Sequence, residues 1–496
     1  MLFNSAHFLL FFPVVALLYF AIPSKFNCAR IGWLLVSSYY FYMCWNVVYA
    51  LLMLGSTVVT YLCGRLIGYR RDKAKWFLVA SLVINFGILF FFKYQGFAAN
   101  TITRVLSAIG IAWKVPTFEV LLPVGISFYT FQAVGYTIDV YRGDIEPEKN
   151  IVNYALFVSF FPQLVAGPIE RSGNLLHQIK AKHRFDYERV RSGLWLMLWG
   201  FFQKLVLADR LASVVDLAYG KPESQTALRL ILATIAFAFQ IYCDFASYSN
   251  IAIGAARIFG IRLMKNFDRP YFSCSIAEFW RRWHISLSSW LKDYIYIPLG
   301  GNRRGSVRKY VNLIIVFLVS GLWHGASWNF VIWGAIHGVY QIVGDITKPF
   351  RDRLWKWMHL DVEGWFVRLV RGGITFVLVD FAWIFFRASG TAGALRIIKR
   401  ILIPGSVSEN LAQSPAFGKD LLWWIVTGCA LLVLLAVSVW EGRAGKQDRH
   451  GRMILSPDAR FAAWPLVLRW AVCLLLLFAI LLFGVWDTGG FIYFQF

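Results

Sequence analysis

Two histidines are candidates for chemistry, and the first, His324, stands in apolar sequence, where a titratable side chain is costly to keep. His324 lies in GLWHGASWNFVIWGAIHG and His284 in FWRRWHISLSSW. An ionisable group in a membrane-like run should face a cavity or a polar partner, so it marks a functional site by default. Imidazole suits general-base work, because its ordinary pKa lies near neutrality and burial keeps the proton-accepting form. Gly321 and Gly325 beside His324 leave room for a substrate or a second backbone to come close. His337, thirteen residues further on, is a weaker candidate. A hydrogen-bonded structural role is the alternative for His324 and for His337. Asp244, in QIYCDFASYSNIAIG, is placed to orient a histidine or pair with an arginine, or simply to bridge two helices. Asp380, in LVDFAWIFFRA, carries less of a case. Tyr493, in the tail FIYFQF, is either an interfacial aromatic anchor or a phenolic nucleophile offered to a buried base.

The elements that would position these groups are helical. Read as one helix from about Ala277 to before Pro298, the segment around His284 aligns Trp280, Trp283, Leu287 and Trp290 at steps of three and four. His284 then sits beside that stripe, one turn from Trp280 and Ser288, and Arg281 and Arg282 face the lipid surface or a phosphate. An amphipathic interfacial helix, merely anchored by its Trp and Arg, fits the same pattern. Candidate lining residues for a substrate path are Trp280, Arg281, Arg282, Trp283, Asp244, Trp323 and Asn302. The seven cysteines show no CxxC pair and read as small hydrophobes, so no metal site is expected.

Composition sets the class. The 496 residues are 58% hydrophobic and 16% charged, against roughly a quarter charged in soluble domains. Mean hydropathy is +0.57. A span needs about 20 mostly apolar residues, and no alternating strand pattern recurs, so the expectation is an all-α polytopic membrane protein. Candidate spans are 7–23, 30–46, 47–64, 76–94, 121–141, 151–167, 193–208, 227–245, 311–333, 367–387, 421–440 and 464–484, or about 10–12 crossings. The Gly- and Pro-rich stretch 121–167 is expected to include re-entrant pieces. Residues 1–496 read as a single transmembrane domain.

The net charge of +23 lies in blocks between apolar runs, which fits loops facing anionic lipid and not nucleic acid. The basic stretches 65–75 and 441–452 are expected on the cytoplasmic side. The segment 256–310, with eleven Lys or Arg against three acids, reads as basic cytoplasmic-side interfacial helices. The tail, 485–496, carries no Lys or Arg and the first six residues no charge, so both termini are expected outside and the crossings even in number. The N-terminal run, lacking a basic n-region and an A-x-A site, reads as a first span and not as a cleaved signal peptide.

The motif FWRRWHISLSSWLKDYIYIPLGGNRRG, followed by LWHGASWNFVIWGAIHG, resembles the membrane-bound O-acyltransferase family, in its alginate O-acetyltransferase membrane-subunit branch. LLPVGISFYTFQAVGYTIDVYRG, FFPQLVAGPIER and NFDRPYFSCSIAEFWRRWHISLS extend the likeness over most of residues 1–390. The resemblance implies a helical fold round a central tunnel, with the family's essential histidine at His324 and its second at His284. It implies transfer of an acyl group, acetyl in this branch, from a cytoplasmic thioester toward an extracytoplasmic polysaccharide such as alginate. The donor would be acetyl-CoA or an acyl carrier protein, a substrate and not a bound cofactor. An extracytoplasmic SGNH-type acetyltransferase partner is implied as well. In the related D-alanine incorporation system a small partner ends in Phe-Ile-Tyr, which likens Tyr493 to an acyl acceptor. Peptidoglycan or teichoic-acid acylation is the nearest alternative. A non-catalytic transporter is disfavoured by the lack of inverted-repeat hydropathy.

Overall fold

The computed structural model describes residues 1–165, 167–403, 417–444, 461–486 and 490–492. Tyr493 lies outside the described residues, as do Lys446, Arg449 and Arg452 of the basic 441–452 stretch. All regular structure among the described residues is helical, as the apolar runs require. Among the described residues seven helices are long and apolar enough to cross a membrane, and the bent pair Ala6–Ala21 and Ser24–Met43, which turns by 107°, adds up to one more. That is fewer than the ten to twelve expected. Expected spans in 121–167 are instead the helix Ile126–Arg142, almost entirely buried, and the short Ile151–Ser159 and Phe161–Leu164. These apolar runs are covered by protein, so their hydrophobicity reports a core and not a lipid-facing wall.

The chain forms two compact units. The first comprises Met1–Met197 with Tyr248–Lys265. In it the helix Val47–Tyr69 packs on Ile126–Arg142, and the Tyr136 ring occupies the space a Cβ would need at Gly64. Two polar pairs are buried between its helices, where water cannot serve as partner. Ser56 donates to Asn85 Oδ1 at 2.5 Å and the Tyr154 hydroxyl to Thr60 Oγ1 at 2.8 Å.

The second unit, Leu198–Ser247 with the chain from Asn266 onward, carries the histidines. Two expectations change here. The run 311–333 is not one span: it divides into the helices Gly305–His324 and Trp328–Trp357, with extended backbone at Gly325 and Ser327. His324 therefore ends a helix and does not sit in the middle of one. The close approach allowed by the glycines is made by backbone. An ideal Cβ on Gly321 would lie 2.2 Å from the Phe330 carbonyl oxygen, and one on Gly334 2.2 Å from that of Phe317. Small residues let the two helices touch along their main chains.

The expected helix through His284 also divides, into Ile276–Arg282 and Ile285–Leu291. His284 itself adopts φ 45° and ψ 54°, the left-handed region that side chains rarely enter. Ser275 caps the first piece by accepting from the Glu278 N–H. The apolar stripe survives the break, because Trp280, Trp283, Leu287 and Trp290 are all buried.

Candidate active site

His284 and His324 meet. Their ring centroids are 6.1 Å apart, with Trp323 packed 5.5 Å from His284 and 5.0 Å from His324. Both histidines are buried, at 0% and 3% exposure. Phe245 stands 4.6 Å from His284, while Trp333 and Phe386 lie 5.1 and 5.4 Å from His324. Aromatic rings thus stand against both imidazoles.

Asn266 sets the state of His284. Its Oδ1 accepts from the Ser286 hydroxyl at 3.0 Å and the Ser286 N–H at 3.3 Å, and its carbonyl accepts from the Ile285 N–H at 2.9 Å. A backbone N–H can only donate, so it is the amide oxygen that faces the turn. His284 Nδ1, 3.2 Å from the same oxygen, must then be the donor. The neutral ring keeps its lone pair on Nε2, which is buried and has no hydrogen-bond partner among the described residues. His284 lies outside the seven spanning helices, and burial pushes its pKa down to about 3.

His337 is held differently. The Trp280 indole N–H donates to His337 Nδ1 at 3.2 Å, so the proton of the neutral ring sits on Nε2. Trp333 packs between this histidine and His324, 5.0 and 5.1 Å from each. Trp280 therefore lies against His337 and Trp323 against His284 and His324, while Trp283 packs 5.1 Å from Trp383 in the adjoining aromatic wall.

Other expected site residues go elsewhere. Arg281 is exposed, and Arg282 pairs with Glu278 at 2.6 Å. Asn302 is exposed in the turn before Gly305, where the buried partner is Asn312, donating to the Gly301 carbonyl at 3.0 Å. Asp244 pairs with neither a histidine nor an arginine. Lys204 Nζ reaches its Oδ1 at 2.6 Å and Asp209 Oδ1 at 2.8 Å, and the Ile492 N–H donates to Asp244 Oδ2 at 2.7 Å. Lys204 is a lone lysine in the apolar run 193–208 and could have been singled out on that ground. Asn266 gives no such signal, being eighteen residues from the histidine it holds.

Helices of membrane-spanning length, with two buried histidines meeting among aromatic rings, define an integral membrane protein with a candidate site for group transfer. The chain belongs to the membrane-bound O-acyltransferase family: the family model matches residues 147–366, which contain His284, His324 and His337. It is 39% identical over 402 residues to the probable alginate O-acetylase of Azotobacter vinelandii, covering 80% of this chain and 77% of that one. It is 35% identical over 445 residues to the peptidoglycan O-acetyltransferase of Helicobacter pylori, covering 82% and 81%. Over 253 residues it is 25% identical to the teichoic acid D-alanyltransferase of Bacillus subtilis, covering 49% and 64%. The protein is an acyltransferase of the membrane, and an acyl donor is its substrate.

Proposed function

We propose that this acyltransferase takes an acetyl group from a cytoplasmic thioester, acetyl-CoA or an acyl carrier protein, and delivers it for O-acetylation of an extracytoplasmic polysaccharide of the alginate kind. The meeting of His284 and His324, from motifs forty residues apart, is the observation that carries this reading. His324 acts as general base on the phenol of Tyr493. As the phenolic oxygen attacks the thioester carbonyl, the proton passes to His324, the C–S bond breaks and the thiolate departs. The imidazolium returns its proton to the sulfur, leaving an acetyl ester on Tyr493. A second transfer passes the acetyl group to an SGNH-type partner outside the membrane and regenerates the phenol.

His284 supports the base. Held with Nε2 as its acceptor, the neutral ring cannot donate to a carbonyl from that atom, which favours orienting His324 over polarising the thioester. The basic segments 65–75 and 256–310 face the cytoplasm in this reading, where the donor carries negative charge, and both termini lie outside in the cell membrane. The similarity to a peptidoglycan O-acetyltransferase, at coverage equal to that of the alginate relatives, supports cell-wall polymer as the second reading.

The test is His324→Ala at unchanged membrane level. A loss of roughly a hundredfold or more in acetyl transfer is expected for removal of a general base. Normal polymer acetylation in that variant would sink the assignment. Purified protein incubated with labelled acetyl donor should carry label on the tail peptide, and Tyr493→Phe should not. Comparing alginate with peptidoglycan acetylation in cells lacking the protein decides the polymer.

A further inference from the structure

We infer that Lys204, Asp209 and Asp244 form a docking clamp for the chain's own C-terminal segment, with Asp244 a positioning residue for whatever follows Ile492. Lys204 and Asp244 are 1% and 2% exposed, and Asp209 is nearly as buried. Three ions out of water are a poor means of stabilising a fold, since apolar residues of similar volume usually serve as well or better. One ammonium between two carboxylates also leaves anionic capacity over. Asp209 follows the π turn Gln203–Ala208 within one continuous helical run, and its side chain meets Lys204 from the turn's far end. For Asp244 the remaining oxygen is met by the Ile492 N–H at 2.7 Å.

The approach of the tail is held at two earlier points. Arg210 donates to the Phe483 carbonyl at 2.6 Å, and the Val485 N–H to the Leu205 carbonyl at 2.9 Å. Leu205 lies in the wide π turn Gln203–Ala208, which also presents Lys204, and such turns recur at functional sites. Phe491 is fully buried, with its ring 5.8 Å from Phe245, which in turn stands 4.6 Å from His284. A carboxylate that grips main-chain N–H reads register and not side-chain type. The clamp therefore fixes where the chain enters the site and leaves the next side chain to do chemistry. Only the catalytic arm of the test rests on the reading of Tyr493 as acceptor.

Full-length protein in detergent is digested with carboxypeptidase and followed by intact mass, in parallel with acetyl transfer from labelled donor. Trimming of the wild type should stall before Ile492. In Asp244→Ala it should run past Phe491 roughly tenfold to a hundredfold faster, the equivalent of a lost hydrogen bond to a charged group. Ile492→Pro removes the tail's donor, together with the buried isoleucine side chain, and leaves the buried ions paired, so it should give the same result. Lys204→Arg should retain protection. Wild-type protection in both Asp244→Ala and Ile492→Pro overturns the clamp. A fall in kcat with the KM for donor unchanged in the released variants supports positioning. Release of the tail with kcat intact keeps the clamp and overturns the tyrosine relay, so the two failures are told apart.

Discussion

Asn266 Oδ1 accepts from His284 Nδ1 at 3.2 Å and from the Ser286 N–H at 3.3 Å, so a single amide oxygen holds both the imidazole and the left-handed turn on which it stands. Left-handed backbone at a residue other than glycine is strained and persists only where its surroundings impose it. Here the imposition comes from Asn266, through its side chain and through its carbonyl's contact with the Ile285 N–H.

Asn266→Leu keeps the volume and removes the acceptor. Acetyl transfer should fall roughly a hundredfold at every pH, because the tautomer is no longer selected. Asn266→Asp keeps the acceptor and adds charge, which favours the imidazolium. The acid limb of its kcat profile should move up by about a unit or more. An unmoved limb in Asn266→Asp would place His284 outside the proton path.

Burial of His284 ties stability to pH. Its pKa is about 3 in the fold against 6.5 when exposed, so between those values the unfolded chain binds a proton that the folded chain does not. Stability is then full above about 6.5 and falls as the pH drops below it, by up to ~1.4 kcal/mol per unit. Thermal unfolding in detergent at pH 7 and pH 5 should show a smaller loss for His284→Gln than for the wild type. Equal losses would contradict the burial argument.

Removing the indole donor tests His337. Trp280→Phe leaves His337 Nδ1 buried without its partner and should cost about 1–3 kcal/mol of stability. A melting temperature equal to wild type would show the bond to be dispensable.

The helix pair that carries His324 depends on backbone contact. Gly321→Ala drives a methyl against the Phe330 carbonyl and should destabilise by about 1–3 kcal/mol, with activity falling through displacement of His324. Gly87→Ala, in the helix Ala74–Leu89 with nothing within 4 Å of the added methyl, should be neutral or stabilising by up to about 1 kcal/mol. Both are read from thermal melts of the purified protein.

Much of this molecule is local in origin. Helicity, membrane residence and the candidacy of His324 follow from apolar runs of spanning length and from titratable groups that such runs tolerate poorly. The breaks at His284 and at residues 325–327 were not legible. Periodicity runs straight through both, and the first is imposed by Asn266 from outside the segment. Burial of 121–167 was half legible, through its glycines and prolines. Whether an apolar helix faces lipid or protein depends on its neighbours and not on its own residues.

The amino-acid sequence by itself determined which side chains could accept a proton and that they would be carried on helices in a membrane. Only the tertiary structure decided which ring nitrogen of His284 and of His337 carries the proton, and that Asp244 meets Lys204 and the Ile492 N–H, 248 residues distant, in place of a histidine or arginine. Hydrophobic pattern is written in neighbouring residues, whereas a tautomer or an ion pair belongs to whichever group the fold brings within 3 Å.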